Sequence, residues 1–189
     1  MSDTQWLRYE VFEKERLDLP HRNAGSVHAP DDEMALENAR DVFVRRPNCL
    51  SLWVVAANQI FSKTVEELAA DSSWRNAPLS EASEAYLVFQ KQGQRQAETF
   101  VNHVGEVEAR SAQEALRQAL EKFSRENVFV WWVCPVRAVT RSEDGDADSL
   151  FQPARDKEYR QPNFYRVVTL MHELKASQQE ARQLDEDML

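Results

Sequence analysis

The chain has little glycine, four residues in 189, so no glycine-rich phosphate cradle can be assembled from it. It has two cysteines, Cys49 and Cys134, in no Cys-x-x-Cys motif. With no export signal at Met1–Gln5, they read as buried free thiols of a reducing cytoplasm. It lacks a basic surplus: 23 Lys and Arg against 32 Asp and Glu give a net charge of −9, which argues against a nucleic-acid backbone as partner. No apolar run reaches transmembrane length, so no membrane partner is expected. The four histidines form no His-x-x-x-His or Glu-x-x-His pair, and no Gly-x-Ser-x-Gly is present. Asp144, Asp146 and Asp148 have the spacing that opens a calcium loop, but Ser149 and Arg155 stand where that loop needs glycine and glutamate. On its own residues the chain presents no catalytic, cofactor or metal site.

What is present is a duplication. Gly25 to Arg46 is rewritten at Gly105 to Arg125, with Gly25/Gly105, Val27/Val107, Ala29/Ala109, Ala35/Ala115, Leu36/Leu116, Ala39/Ala119, Phe43/Phe123 and Arg45/Arg125 agreeing without a gap. Outside that block, Tyr9–Lys14 returns as Tyr86–Lys91 and Trp53-Val54 as Trp132-Val133. A run of matches in one order indicates a tandem repeat.

Each copy reads as a ββαβ unit. Leu7, Tyr9 and Val11 alternate with Arg8 and Glu10, as a half-buried strand requires. Pro20 turns the chain into a second strand, His21–Ala29, with a bulge or close approach at Gly25. His21 and His28 therefore point to opposite faces unless that bulge inserts a residue. Asp31 can cap a helix whose Ala35, Leu36, Ala39, Val42 and Phe43 share one face. Leu50, Leu52 and Val54 open the third strand. In the second copy Ser111 and Glu114 form a capping box. A right-handed crossover places strand three beside strand one and leaves one sheet face bare. A unit of about sixty residues builds only a marginal core alone, so the two copies are expected to pack together. The run Val128–Val133, apolar on both faces, is expected at the seam between them or within one domain. The fold class is thus α+β: two tandem ββαβ repeats forming a pseudo-twofold pair of small sheets, each covered by a helix.

The expected division is repeat one at 1–61, a linker at 62–84 with a short helix around Val65, Leu68 and Ala69, and repeat two at 85–140. A tail strap follows at 141–175, acidic at first and then rich in aromatics, proline and arginine, and a flexible helix or disorder ends the chain at 176–189. Phe151, Tyr159, Phe164 and Tyr165 either wrap the body or lie on a partner.

Two long motifs carry a resemblance. His21, Arg22, Gly25, Ser26, His28, Ala29, Glu33 to Asp41, Arg45, Arg46, Ser51 and Trp53 to Val55 form the first. Phe151, Pro153, Ala154, Lys157, Tyr159, Arg160, Pro162, Phe164 and Tyr165 form the second. Both resemble the PaaB family, the small subunit of ring-1,2-phenylacetyl-CoA epoxidase. Ordinary members resemble one copy followed by the tail. Here a second copy lies between the two, with Glu106 for Ser26, Glu108 for His28 and Arg117-Gln118 for Glu37-Asn38. Such a copy retains the fold without the contact surface.

The resemblance implies an accessory subunit without cofactor or catalytic residues. Its host is a monooxygenase that uses O2, a di-iron catalytic subunit, a structural partner subunit and an NADPH-dependent flavin/iron–sulfur reductase. The implied partners are the catalytic and structural subunits, with the reductase as a further candidate. Dimeric family members make this chain a monomeric pseudo-dimer, with a homodimer as the alternative. The implied partner-facing residues are His21, Arg22, Ser26, His28, Glu37, Asn38, Arg40, Asp41, Arg45, Arg46, Lys157, Tyr159, Arg160, Phe164 and Tyr165. The competing reading is a stand-alone regulator with a small-ligand site between the repeats.

Overall fold

The structure, a computed structural model, describes residues 6–44, 49–76, 82–92, 100–125, 127–143, 145, 147–155 and 170–176. Copy one supplies strands β1 (Leu7–Lys14) and β2 (Arg22–Ala29), helix α1 (Asp32–Phe43) and strand β3 (Ser51–Ala56). A short strand β4 (Phe61–Thr64) and helix α2 (Val65–Ala70) follow. Copy two repeats the order with β5 (Glu84–Gln92), β6 (Val101–Ala109), α3 (Ala112–Lys122), β7 (Val128–Pro135), β8 (Val139–Arg141) and α4 (Ala147–Arg155).

The strands form one sheet in the order β4-β7-β5-β6-β2-β1-β3-β8, antiparallel throughout. Strand three lies beside strand one in each copy, as the crossover argument predicts. The centre of the sheet is the β2–β6 junction, where Arg22 pairs with Asn102, its own counterpart in the repeat. A backbone bond from His103 N to His21 O (2.8 Å) extends that junction.

The two copies solve the same packing problem with the same residues. Ala35 and Ala39 in α1, and Ala115 and Ala119 in α3, are fully buried. Their small side chains let each helix settle closely on its strands. Around them lie Tyr9, Val11, Val27, Leu52 and Val54 in one half and Tyr86, Val88, Val107, Trp131 and Val133 in the other. Gly25 (φ 143°) and Gly105 (φ 153°) each sit at a bulge in the pairing with the neighbouring strand. An added Cβ there would lie 2.7 Å from Phe43 Cζ and 2.5 Å from Phe123 Cζ. Glycine is needed twice over, for its backbone conformation and for the ring that lies on it. Caps follow the sequence: Asp31 Oδ1 accepts from Met34 N (2.8 Å) and Ser111 Oγ from Glu114 N (3.1 Å). The reciprocal half of the expected capping box is displaced by one residue, since Glu114 Oε2 accepts from Arg110 N (2.8 Å).

The faces without helices turn toward each other and make a third cluster from both copies: Phe12, Trp53 and Val55 with Leu87, Phe89, Val101 and Cys134. Phe12 stacks on Phe89 with ring centroids 4.3 Å apart. This shared layer is the mutual support that sixty-residue units need.

Three features differ from the sequence expectation. First, strand β7 meets copy one by a route the sequence does not give: it lies between β5 and the copy-one strand β4, away from the central β2–β6 junction. It is apolar on both faces because Trp131 and Val133 face the α3 cluster while Cys134 faces the shared one. Second, Phe61–Thr64, at the start of the expected linker, is a strand, and so is Val139–Arg141. These strands cross over: β4 from copy one pairs with β7 of copy two, and β8 from copy two pairs with β3 of copy one. Third, Ala147–Arg155, expected as an acidic loop and the start of the strap, is helical, and its Phe151 and Ala154 fill the copy-one core. On the opposite side, Leu68 and Trp74 fill the copy-two core.

Candidate functional site

The polar signature of copy one does not form a single surface. His21, expected to face a partner, is buried at 7 % exposure. Its ring stacks on Trp53 with centroids 3.5 Å apart, and its Nε2 lies 3.1 Å from Ser51 Oγ. Burial, with the nearby charges of His103, Lys14 and Arg141, pulls its pKa down to about 3, so it is neutral at physiological pH. Its burial follows from the bulge at Gly25. Register pairs Phe12 with Asn23 and Arg8 with His28, so the extra residue between them puts positions 23 and 28 on one face. His21 shares that face, the one directed at the other copy.

The remaining described candidates divide between two surfaces. Ser26 and His28 are exposed on the open end of the inner sheet face, paired with Glu10 and Arg8. His28 Nδ1 lies 3.4 Å from the carbonyl of Trp6, whose ring is 58 % exposed. Glu37 and Asp41 point outward from α1 beside the exposed Met34. Arg40 ties them together, with Nη1 2.6 Å from Glu37 and Nε 3.1 Å from Asp41. Arg22 is half-buried at the junction, 3.0 Å from Glu15 and 4.8 Å from the Phe100 ring centroid. Asn38 serves the fold: its Nδ2 donates to His28 O (3.2 Å), and Gln118 Nε2 donates to Glu108 O (2.9 Å) at the same place in copy two. The Asn38-to-Gln118 change therefore preserves a helix-to-strand tether, although in the sequence alone it has the look of lost contact surface. Arg45, Arg46, Lys157, Tyr159, Arg160, Phe164 and Tyr165 lie outside the described residues.

Around His21 the structure adds two cations, Lys14 and Arg141, that nothing in the sequence marks. Arg141 sits on the three-residue strand β8, and its guanidinium carbon lies 4.7 Å from the Trp53 ring centroid. Burial pushes the thiols of Cys49 and Cys134 up to about 12, with the Glu13 charge adding to the effect at Cys49. Both cysteines are free and buried. Among the described residues no group of three or more His, Cys, Asp or Glu is placed to hold a metal ion, and no helix is long and apolar enough to cross a membrane.

Fold and surface thus define a two-copy α+β chain whose halves share a scaffold and differ in their polar residues. A sequence model of the family Phenylacetic acid degradation B (PaaB) matches it in two segments, residues 5–77 and 83–172, and the chain belongs to that family. One segment falls on each copy, and the second runs on into the tail. Over 67 residues the chain is 49 % identical to a subunit of the 1,2-phenylacetyl-CoA epoxidase of Escherichia coli (strain K12), a match spanning 35 % of this chain and 70 % of that protein. No solved structure matches it.

Proposed function

We propose that the chain is an accessory subunit of a multicomponent oxygenase of phenylacetate degradation, acting on phenylacetyl-CoA or a close relative. In this reading it has no catalytic residues of its own. It organises the di-iron catalytic subunit with that subunit's structural partner and supports electron delivery from the reductase. It works in the cytoplasm as a monomeric pseudo-dimer. Membership of the PaaB family and the similarity to an epoxidase subunit support it. The observation that carries it is the asymmetry between the copies: Ser26 and His28 are exposed in copy one, while the equivalent places in an otherwise conserved scaffold hold Glu106 and Glu108. These exposed polar positions have changed, while Ala35, Ala39, Phe43, Val27 and Gly25 of the scaffold recur as Ala115, Ala119, Phe123, Val107 and Gly105.

Co-expression with the catalytic and structural subunits, followed by sizing and metal analysis, tests this. The chain is expected to co-purify with them and to bring no metal of its own. Charge reversal at Arg45 and Arg46 should weaken the complex without unfolding the chain. A chain that elutes apart from both subunits at micromolar concentration would sink the proposal.

A second reading, a small-ligand regulator, draws support from a crevice of about 400 Å³ at the β2–β6 junction. Leu19, Pro20 and Arg22 of copy one and Gln92, Phe100 and Asn102 of copy two line it. That reading requires a thermal shift with an acyl-CoA or aromatic acid in the absence of any partner.

A further inference from the structure

The edge of copy one holds a second crevice, of about 550 Å³, which reaches that junction at His21. Its walls come from β1, β3 and the exchanged strand β8, so both copies contribute. Two cations line it, Lys14 and Arg141. Among the described residues neither makes an ion pair, and the same holds of Lys63, Arg75, Lys91, Lys122 and Arg125; what sets Lys14 and Arg141 apart is that they share one crevice. Among the described residues the one acid on the lining is the exposed Glu143, and His21 behind it is neutral.

The crevice is also built, not incidental. Ser142 fastens β8 through both backbone and side chain, Ser142 N donating to Leu52 O (2.9 Å) and Ser142 Oγ accepting from Leu52 N (3.0 Å). The adjacent Arg141 is thereby held over Trp53, which is itself stacked on His21. A guanidinium lying against a ring keeps its in-plane donors available at the edge, the geometry that accepts a carboxylate through two bonds. Beside the cations stand Leu17, 85 % exposed, and Leu50, 40 % exposed, an apolar wall that no described residue covers. Among the described residues copy two has no such site. By the repeat and the strand pairing, Val101 replaces His21, Val130 replaces Ser51, and Ser62 is the residue paired with Trp132 where Arg141 pairs with Trp53.

We infer that this crevice binds a carboxylate carried on a small apolar body, with Arg141 and Lys14 holding the anion and Leu17 and Leu50 the apolar part. The carboxylate has two sources, a free monocarboxylic acid or a Glu side chain flanked by leucine on a partner protein. The volume falls within the range of small-ligand pockets. This inference does not rest on the assembly role, because the isolated full-length chain suffices to test it.

Calorimetric titration of the full chain with hexanoate, with neutral hexanamide, and with the peptide acetyl-Leu-Glu-Leu-amide is the test. Saturable binding of at least one acid and none of the amide is expected. Arg141→Gln should weaken it by at least about tenfold, the loss expected for a charged hydrogen-bonding partner. Lys14→Gln should weaken it less. Lys91→Gln, at the corresponding place in copy two, should leave it unchanged. Tighter binding of hexanoate assigns the site to free acids, and tighter binding of the peptide assigns it to a partner side chain. The Lys14 variant keeps the test valid if Arg141→Gln disturbs β8, which circular dichroism reports. No saturable binding of either acid, equal binding of the amide, or binding indifferent to both substitutions would overturn the inference.

Discussion

Copy one and copy two have the same skeleton and different skins. Both use two alanines to bring the helix close, a glycine at a bulge to seat a phenylalanine, and an amide on the helix to hold the second strand. They part company at several polar positions that face outward or toward the other copy, although Phe12 and Trp53 of the shared layer recur as Phe89 and Trp132. Asn23 becomes His103, His21 becomes Val101, and Ser26 and His28 become glutamates. The comparison teaches that Asn38 belongs with the skeleton, because its replacement, Gln118, keeps its bond. Ser26 and His28 belong with the skin.

The hardest test of a shared skeleton is the layer common to both halves. Phe12→Ala and Phe89→Ala should each lower stability by about 3–5 kcal/mol in denaturant titrations. Because the rings stack, the double variant should fall short of the sum by about 0.5–3 kcal/mol. Additive losses would mean that the halves stabilise themselves separately.

Gly25→Ala and Gly105→Ala come next. Each forces a Cβ into a phenylalanine ring at positive φ, a loss of about 2–3 kcal/mol from strain and overpacking. Equal losses in the two copies are expected. A tolerated Gly105→Ala would show that copy two has relaxed its scaffold as well.

Acid should separate the copies. His21 has a folded pKa of about 3 against an ordinary value of 6.5, so below about pH 6.5 the unfolded chain takes up a proton that the folded chain refuses. Stability is therefore intact above that value and falls as pH drops toward 3. His103, also lowered by burial, contributes in the same sense. His21→Gln should flatten part of the slope in a pH series of melting temperatures and leave the His103 part. An unchanged slope would contradict the burial of His21.

Smaller effects belong to the helix starts. Asp31→Ala and Ser111→Ala each remove one cap and should cost about 1 kcal/mol. Smallest for stability, and largest for discriminating the copies, are surface reversals. Glu37→Lys with Asp41→Lys on α1 should change unfolding by about 0.5 kcal/mol or less yet reduce co-purification with the oxygenase subunits. Arg117→Glu with Glu121→Lys on α3 should affect neither. Equal loss of binding from both helices would erase the proposed division of labour.

The repeat is legible in the sequence because core positions are written in the few residue types that fit them. Ala35 and Ala115, or Phe43 on Gly25 and Phe123 on Gly105, leave little choice, and so the fold class and the bulge can be read. The strand exchange cannot, since Phe61–Thr64 and Val139–Arg141 are too short to show a periodicity. The position of β7 is hidden for another reason: a strand apolar on both faces reports that both faces are covered, without saying by what. His21 illustrates the limit for sites. A histidine on a strand reads the same whether it meets a partner or Trp53, and only the fold of the other copy over it decides. Lys14 and Arg141 lie 127 positions apart by number, and no local pattern connects them.

Because each half lends its last strand to the other, neither is a module that can be detached. A nick in the connection between the copies would leave two pieces interlocked like clasped hands, each completing the other's sheet. The same sheet built from two separate chains would have to find its partner by diffusion, and its melting point would track dilution. Joined in line, the halves meet at a fixed effective concentration, and folding should be indifferent to how scarce the protein is in solution.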